Sequence, residues 1–184
     1  MREDADTRQA TPADRASKLT SASSSPFYKL KKCMKLYSQR DPRWASYYLG
    51  NSRLIIGRYG CTTTAIAMLS TYFLPERDPG YMSQHIQYTN QGLIIWQSCN
   101  FEQFLFDHRE YGRVDANIQA AIKDPNRAVI LEVANHSHWV VAVSYNWLLR
   151  DYKIADPWTG SYTYALKSYK NITGAAYFKK KVVS

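Results

Sequence analysis

Two hydrophobic periods divide this sequence, and they restrict the folds open to it more than any other feature. In the run that opens Gly60-Cys61-Thr62-Thr63-Thr64 and continues AIAMLSTYF, residues Ala65, Met68, Leu69 and Tyr72 stand at i, i+3, i+4 and i+7. That spacing is one apolar face of a helix, with Cys61 at its N-terminal end. From Ala128 onward the pattern changes to short β-branched and aromatic runs bounded by Asn, Asp, Pro or Gly: Ala128 to Val133, His138 to Tyr145, Tyr152 to Ala155 and Ala175 to Phe178. Three further helices are expected between the two regions. One runs from about Tyr81 to Tyr88 and closes at Asn90-Gln91-Gly92, one covers Phe101 to Asp107, and one covers Asp115 to Lys123, with Asp115 as N-cap and Asp124-Pro125 as its stop. Helices followed by a run of neighbouring strands predict an α+β domain built on an antiparallel sheet.

The domain is expected to span residues 28–184. Residues 1–27, rich in Ser, Thr, Ala, Asp and Arg and without an aromatic residue until Phe27, bury too little apolar surface to offset their ordering entropy. They read as an arm that is flexible alone and ordered when docked on a neighbouring protein in an assembly. No apolar stretch approaches the roughly 18–20 residues of a membrane-spanning helix, and the polar start has no signal-peptide core, so neither membrane insertion nor Sec-type secretion is expected. A virion-associated or cytoplasmic setting fits these features.

The 24 Lys and Arg outnumber the 15 Asp and Glu, a formal charge of +9. Such a balance favours anionic partners, but much of it sits in Lys29, Lys31, Lys32 and Lys35 and in Lys179, Lys180 and Lys181, outside any nucleic-acid motif. These read as solvated flanks or docking patches, not as a nucleic-acid interface. Cys33, Cys61 and Cys99 are an odd number without CxxC spacing, which argues against a disulfide scaffold or a four-cysteine zinc site.

Cys61 is the candidate nucleophile. Unpaired N–H groups and the dipole at a helix N-terminus favour a thiolate, although a free cysteine taken alone is more often a small buried core residue. A cysteine nucleophile needs a base and a group to orient that base. His138 opens the apolar strand His138-Trp139-Val140-Val141-Ala142-Val143, and Asp156 closes the next, Tyr152-Lys153-Ile154-Ala155-Asp156, so two antiparallel neighbours bring the side chains together. Taken singly, His138 reads as a satisfied surface histidine and Asp156 as an Asp-Pro turn residue. His136 and His138 form His-x-His on one strand face. That offers an alternative base if the register shifts by two, or a metal pair that lacks an acidic or thiol third ligand at the usual spacing. Trp44, Trp96, Trp139 and Trp158 serve either a substrate cleft or the core. The sequons at Asn135 and Asn171 read as chance matches, and Cys33 and Cys99 as structural.

The segments Ser38-Gln39-Arg40-Asp41-Pro42-Arg43-Trp44, Gly60-Cys61-Thr62-Thr63, His138-Trp139-Val140-Val141 and Asp156-Pro157-Trp158-Thr159-Gly160 together resemble the peptidase C39-like family of papain-fold cysteine peptidases. The resemblance runs from about Tyr37 to Phe178. It implies a papain-like α+β fold, with Cys61 as nucleophile, His138 as general base, Asp156 as its orienting group and Gln39 as an oxyanion donor. Gln39 lies twenty-two residues ahead of Cys61, a longer spacing than in papain-type enzymes but one matched by family members with a QxDPxW opening. Thr62 stands where the family often has Gly. No cofactor is implied, and the substrate class is a peptide, an isopeptide or the peptide part of a cell-wall polymer, handled by a free-standing or phage-associated hydrolase.

Two other classes compete. One is a papain-like structural or adaptor module that keeps the three residues as ancestry, since a fold does not establish activity. The other is transglutaminase-like transfer to an amine. An active hydrolase requires Cys61 within reach of His138, Asp156 on the other ring nitrogen and an open cleft above. A buried Cys61, or a cleft filled by the arm, favours a structural or latent role.

Overall fold

A computed structural model of the protein describes residues 34–73 and 75–181. The arm at residues 1–27, Cys33 and the lysines at positions 29, 31 and 32 lie outside the described residues. In chain order the elements are α1 (Ile56–Tyr59), α2 (Cys61–Phe73), α3 (Pro79–His85), a 3-10 turn at Trp96–Ser98, β1 (Phe104–Tyr111), α4 (Asp115–Lys123), β2 (Arg127–Val133), β3 (His138–Asn146), β4 (Asp151–Asp156), β5 (Ser161–Tyr164), α5 (Ala165–Tyr169) and β6 (Ile172–Lys180). The strands form one six-stranded antiparallel sheet in the order β1-β6-β2-β3-β4-β5.

Alternation along β2 shows why both faces of this sheet are covered. Ala128 and Ile130 join Val141, Ala155, Ala176 and Phe178 in a core that includes Ile66, Met68 and Leu69 of α2. Val129, Leu131 and Val133 join Val140, Tyr152, Ile154 and Tyr177 in a second core with Ile118 and Ala121 of α4 and Ala165 of α5. Successive side chains on a strand point to opposite faces, so a strand buried on both reads as a continuous apolar run. Helix α2 is enclosed by β3 and α3, and its small residues Ala65, Ala67 and Ser70, all buried, permit the close approach. Burial of each large apolar side chain contributes about 1.5–3 kcal/mol, so these two cores carry most of the folding energy.

The segment Phe101–Asp107, expected to be helical, is instead the entry to β1. Phe104 and Phe106 lie on the same face as Phe178 of β6, at ring separations of 6.1 and 5.9 Å. A bulge between Phe106 and His108 takes Asp107 out of the register, and its carboxylate then meets Lys179 at 2.7 Å and Arg127 and His108 at 3.0 Å. Helix α3 ends at His85, short of Tyr88. Its start is set by Asp78, whose side chain accepts from the Tyr81 N–H at 2.8 Å. The chain beyond it turns back with Gly92 in the left-handed region and Tyr88 bridged to Ile94. Helix α4 matches its expected range, but Val114 is its cap residue. The Asp115 carboxylate accepts from Arg113 at 2.7 Å and from the Tyr152 hydroxyl at 2.6 Å. Of the basic flanks, Lys35 is paired with Glu76 and Lys179 with Asp107.

The Ser38–Trp44 segment is a clamp. The Trp44 indole N–H donates to the Ser38 carbonyl at 2.8 Å, with Tyr37 edge-on to the Trp44 ring at 5.5 Å. The Gln39 N–H donates to the Pro157 carbonyl at 2.8 Å, tying this segment to the β4–β5 turn. Gly160 in that turn has φ +66°, and a Cβ there would sit 3.1 Å from Ser38 Cβ, so glycine meets both the conformation and the close approach. Within the described residues no helix is long and apolar enough to cross a membrane.

Candidate active site

Cys61 is the first residue of α2, directly after Gly60, which ends α1 with its N–H on the Ile56 carbonyl at 2.8 Å. A Cβ on Gly60 would lie 2.7 Å from Ile56 Cα, so only glycine lets α1 and α2 meet this tightly and fixes where the thiol points. Gly60→Ala is therefore expected to cost about 1–3 kcal/mol, read as a lower midpoint of thermal unfolding, because the clash is with backbone and no side-chain rotation relieves it.

His138 begins β3 after a turn with three consecutive residues in the left-handed region: Ala134 at φ 53°, Asn135 at 53° and His136 at 67°. For non-glycine residues such geometry is costly and persists only where surrounding contacts hold it. Here the Asn135 N–H donates to Asn171 Oδ1 at 3.2 Å, the two asparagine amides bond each other, and Ser137 Oγ donates to the Ala134 carbonyl at 2.6 Å. His136 Nδ1 lies 2.8 Å from Glu132 Oε2. His136 therefore belongs to the turn and does not share a strand face with His138. Among the described residues no cluster of three or more His, Cys, Asp or Glu side chains is arranged to hold a metal ion.

Asp156, the buried last residue of β4, meets His138 Nε2 through Oδ1 at 2.8 Å. The same oxygen accepts from the Trp158 N–H at 2.9 Å, and Oδ2 accepts from the Tyr169 hydroxyl at 2.5 Å. With Nε2 taken by Asp156, Nδ1 is the ring nitrogen left to face Cys61, whose thiol joins Asp156 in raising the His138 pKa. The structure thus brings together three of the four sequence-predicted residues in the order thiol, imidazole, carboxylate. Gln39, the fourth, is buried against α1 just ahead of the thiol. Its Nε2 makes long contacts of 3.4 Å to the Ile56 and Gly57 carbonyls, and among the described residues its Oε1 has no hydrogen-bond partner.

The electrostatics follow from this geometry. Burial opposes ionisation of Cys61, yet the hydrogen bond and charge of His138, the Trp139 N–H and the Thr62 hydroxyl together bring the thiol below its ordinary value. Burial also opposes protonation of His138, but its bonds to Asp156 and Cys61 win and push its pKa up to about 9. Asp156 loses solvation on burial, but the donors His138, Tyr169 and Trp158 N–H hold it below the usual carboxylate range. Cys99 is the internal control: it is buried without a basic partner, and burial pushes its thiol up to about 12. The two described thiols are shifted in opposite directions, and a cationic imidazole is the difference between them.

Of the four tryptophans considered for a cleft, Trp44 and Trp139 are core and Trp96 is half-buried between Trp139 and Phe106. Trp158 is 42% exposed beside Asp156, with the Arg40 guanidinium 4.8 Å over its ring. Sequence reasoning missed Tyr169. It lies thirteen residues beyond Asp156 in a short polar segment, and no spacing rule points from one to the other.

No protein-family model matches the chain. A search of curated proteins also returns no match.

Proposed function

We propose that the protein is a cysteine peptidase-like hydrolase of papain-like fold that cleaves a peptide or isopeptide amide bond. The observation that carries this reading is geometric: Cys61 opens a helix, and the imidazole that interacts with it, His138, is held by the buried Asp156 carboxylate at 2.8 Å. A nucleophile helix packed on an antiparallel sheet that supplies the base and its partner supports the papain-like assignment.

In this reading the Cys61 thiolate attacks the substrate carbonyl carbon, and the carbonyl π electrons move to oxygen. The Cys61 N–H and the Gln39 amide are the proposed donors to that oxyanion, Gln39 turning its Nε2 away from its two long contacts. His138 passes its Nδ1 proton to the leaving nitrogen, the C–N bond breaks and a thioester remains. Water, losing a proton to His138, then attacks the thioester and returns Cys61 as thiolate. The substrates proposed are a cell-wall peptide or a structural protein precursor, met by the protein as part of a particle such as a bacteriophage virion.

One observation favours the silent adaptor reading: Cys61 is only 9% exposed. Alkylation of the full-length protein with iodoacetamide between about pH 5 and 9, with the modified peptides mapped by mass spectrometry, tests the hydrolase reading. Cys61 is expected to react well below the ordinary thiol midpoint near pH 8.5 while Cys99 stays inert. A parallel reaction with a peptidyl chloromethyl ketone reads access. Cys61 that takes the small reagent but refuses the peptidyl one supports the adaptor reading, and Cys61 that behaves like Cys99 removes the thiolate pair altogether.

A further inference from the structure

Helix α5 has five residues and no side-chain cap of its own, since its N-cap residue is Tyr164. A helix this short is not stable by propensity and needs tertiary support at its ends. Support comes from one strand. The buried Asp151, first residue of β4, accepts from the Leu166 N–H at 2.9 Å through Oδ1 and from the Lys167 N–H at 3.1 Å through Oδ2, so a carboxylate from another element closes the first turn. At the other end Tyr169, the last helical residue, donates its hydroxyl to Asp156, the last residue of β4. Lys170 then adopts φ 66° with its N–H on the Leu166 carbonyl at 2.9 Å, which stops the helix one residue after the tyrosine. The Tyr169 ring also lies 5.1 Å from the His138 ring, tilted at 46° to it.

We propose that α5 is a strut, pinned to both ends of β4, that makes Tyr169 a positioning residue: its hydroxyl fixes Asp156, and Asp156 fixes His138. The proposal rests on the cysteine-nucleophile reading above. The Asp156 carboxylate has one oxygen for His138 and the Trp158 N–H and one for Tyr169. Without the hydroxyl, Oδ2 is a buried acceptor with no donor, and rotation of the carboxylate toward any other donor withdraws Oδ1 from the imidazole. The groups facing His138 are Cys61 from α2, Asp156 from β4 and Tyr169 from α5. On the β2 side, Glu132 pairs with His136 and Arg109, not with His138.

The test is Tyr169→Phe, with Asp151→Asn as a second variant that loosens the far end of the strut without touching Asp156. The pH midpoint of Cys61 alkylation is expected to rise by about half to one unit in Tyr169→Phe, the shift that loss of one hydrogen bond represents. In Asp151→Asn it rises by less. Heteronuclear NMR of the His138 ring reports the change at the base directly. A purely structural tyrosine lowers the unfolding temperature and leaves the alkylation midpoint where it was. If Tyr169→Phe fails to fold by circular dichroism, Asp151→Asn carries the test. A depressed wild-type midpoint that neither folded variant moves overturns the strut and leaves the nucleophile reading standing. An ordinary wild-type midpoint overturns both.

Discussion

His138→Ala is expected to silence Cys61 and to cut any hydrolysis by on the order of 10⁴-fold or more, the scale on which removing the base of a nucleophile–base pair acts. The reason lies in the opposing influences on this thiol. Burial is the largest of them and raises it, and the imidazole is the main group that offsets burial. Without that group Cys61 moves in the direction of Cys99, whose thiol burial pushes up to about 12. At neutral pH its thiolate fraction then falls, since burial is no longer offset by the imidazole. Iodoacetamide rates at pH 7 measure this without any knowledge of the substrate, and equal rates in the variant and the wild type would sink the assignment of His138. The wild-type pH profile carries the same information. Hydrolysis is expected to decline as the pH rises through about 9, where His138 loses the proton that the leaving amine needs, whereas alkylation of the thiolate continues.

The second large effect is on stability. Asp156→Ala takes the acceptor from three donors, namely the buried His138 ring and the part-buried Tyr169 hydroxyl and Trp158 N–H. Removing one partner of a buried ion pair costs about 3–5 kcal/mol. For a domain of this size that is a fall of roughly 6–20 °C in unfolding temperature. Asp156→Asn keeps one acceptor oxygen and costs less. The pH dependence has a definite sign. The folded-state pKa of Asp156 is depressed, so its contribution is complete above the unfolded carboxylate value of about 4 and is lost as the pH falls through the lower, folded value. Wild-type stability therefore drops in that acid window, and the drop becomes shallower in Asp156→Ala. Calorimetric scans from about pH 2 to 7 measure both effects, and parallel acid limbs in the two proteins would remove Asp156 as the source.

The residues of the site were legible where local pattern and tertiary need coincide. The helical stripe from Ala65 to Tyr72 placed Cys61 at a helix start, and the apolar run after His138 placed that residue at the end of a strand. Phe101–Asp107 was misread because Phe101, Phe104, Leu105 and Phe106 satisfy helical and extended spacing alike. Pairing with β6, whose Phe178 packs against Phe104 and Phe106, selects the extended form, and that partner lies some seventy residues away. The Ser161–Tyr169 segment carries no strong period at all. It becomes β5 and α5 because β4 offers it a pairing edge and the Asp151 carboxylate, neither of which a local window contains. The left-handed run Ala134–His136 was likewise invisible, since the Asn171 side chain that holds it comes from just ahead of β6, some thirty-six residues away.

The order of these parts along the chain has a consequence for biosynthesis. Cys61 leaves the ribosome long before His138, Asp156 and Tyr169, and the sheet that carries its partners is completed by β6, the last of the described elements. Until then the thiol has no imidazole beside it and titrates as any cysteine does. On the proposed reading, a nascent chain or a fragment truncated before α5 is therefore expected to be chemically quiet, with reactivity emerging only once β6 has joined the sheet. On that reading, timing keeps an incompletely folded copy from attacking itself or its neighbours.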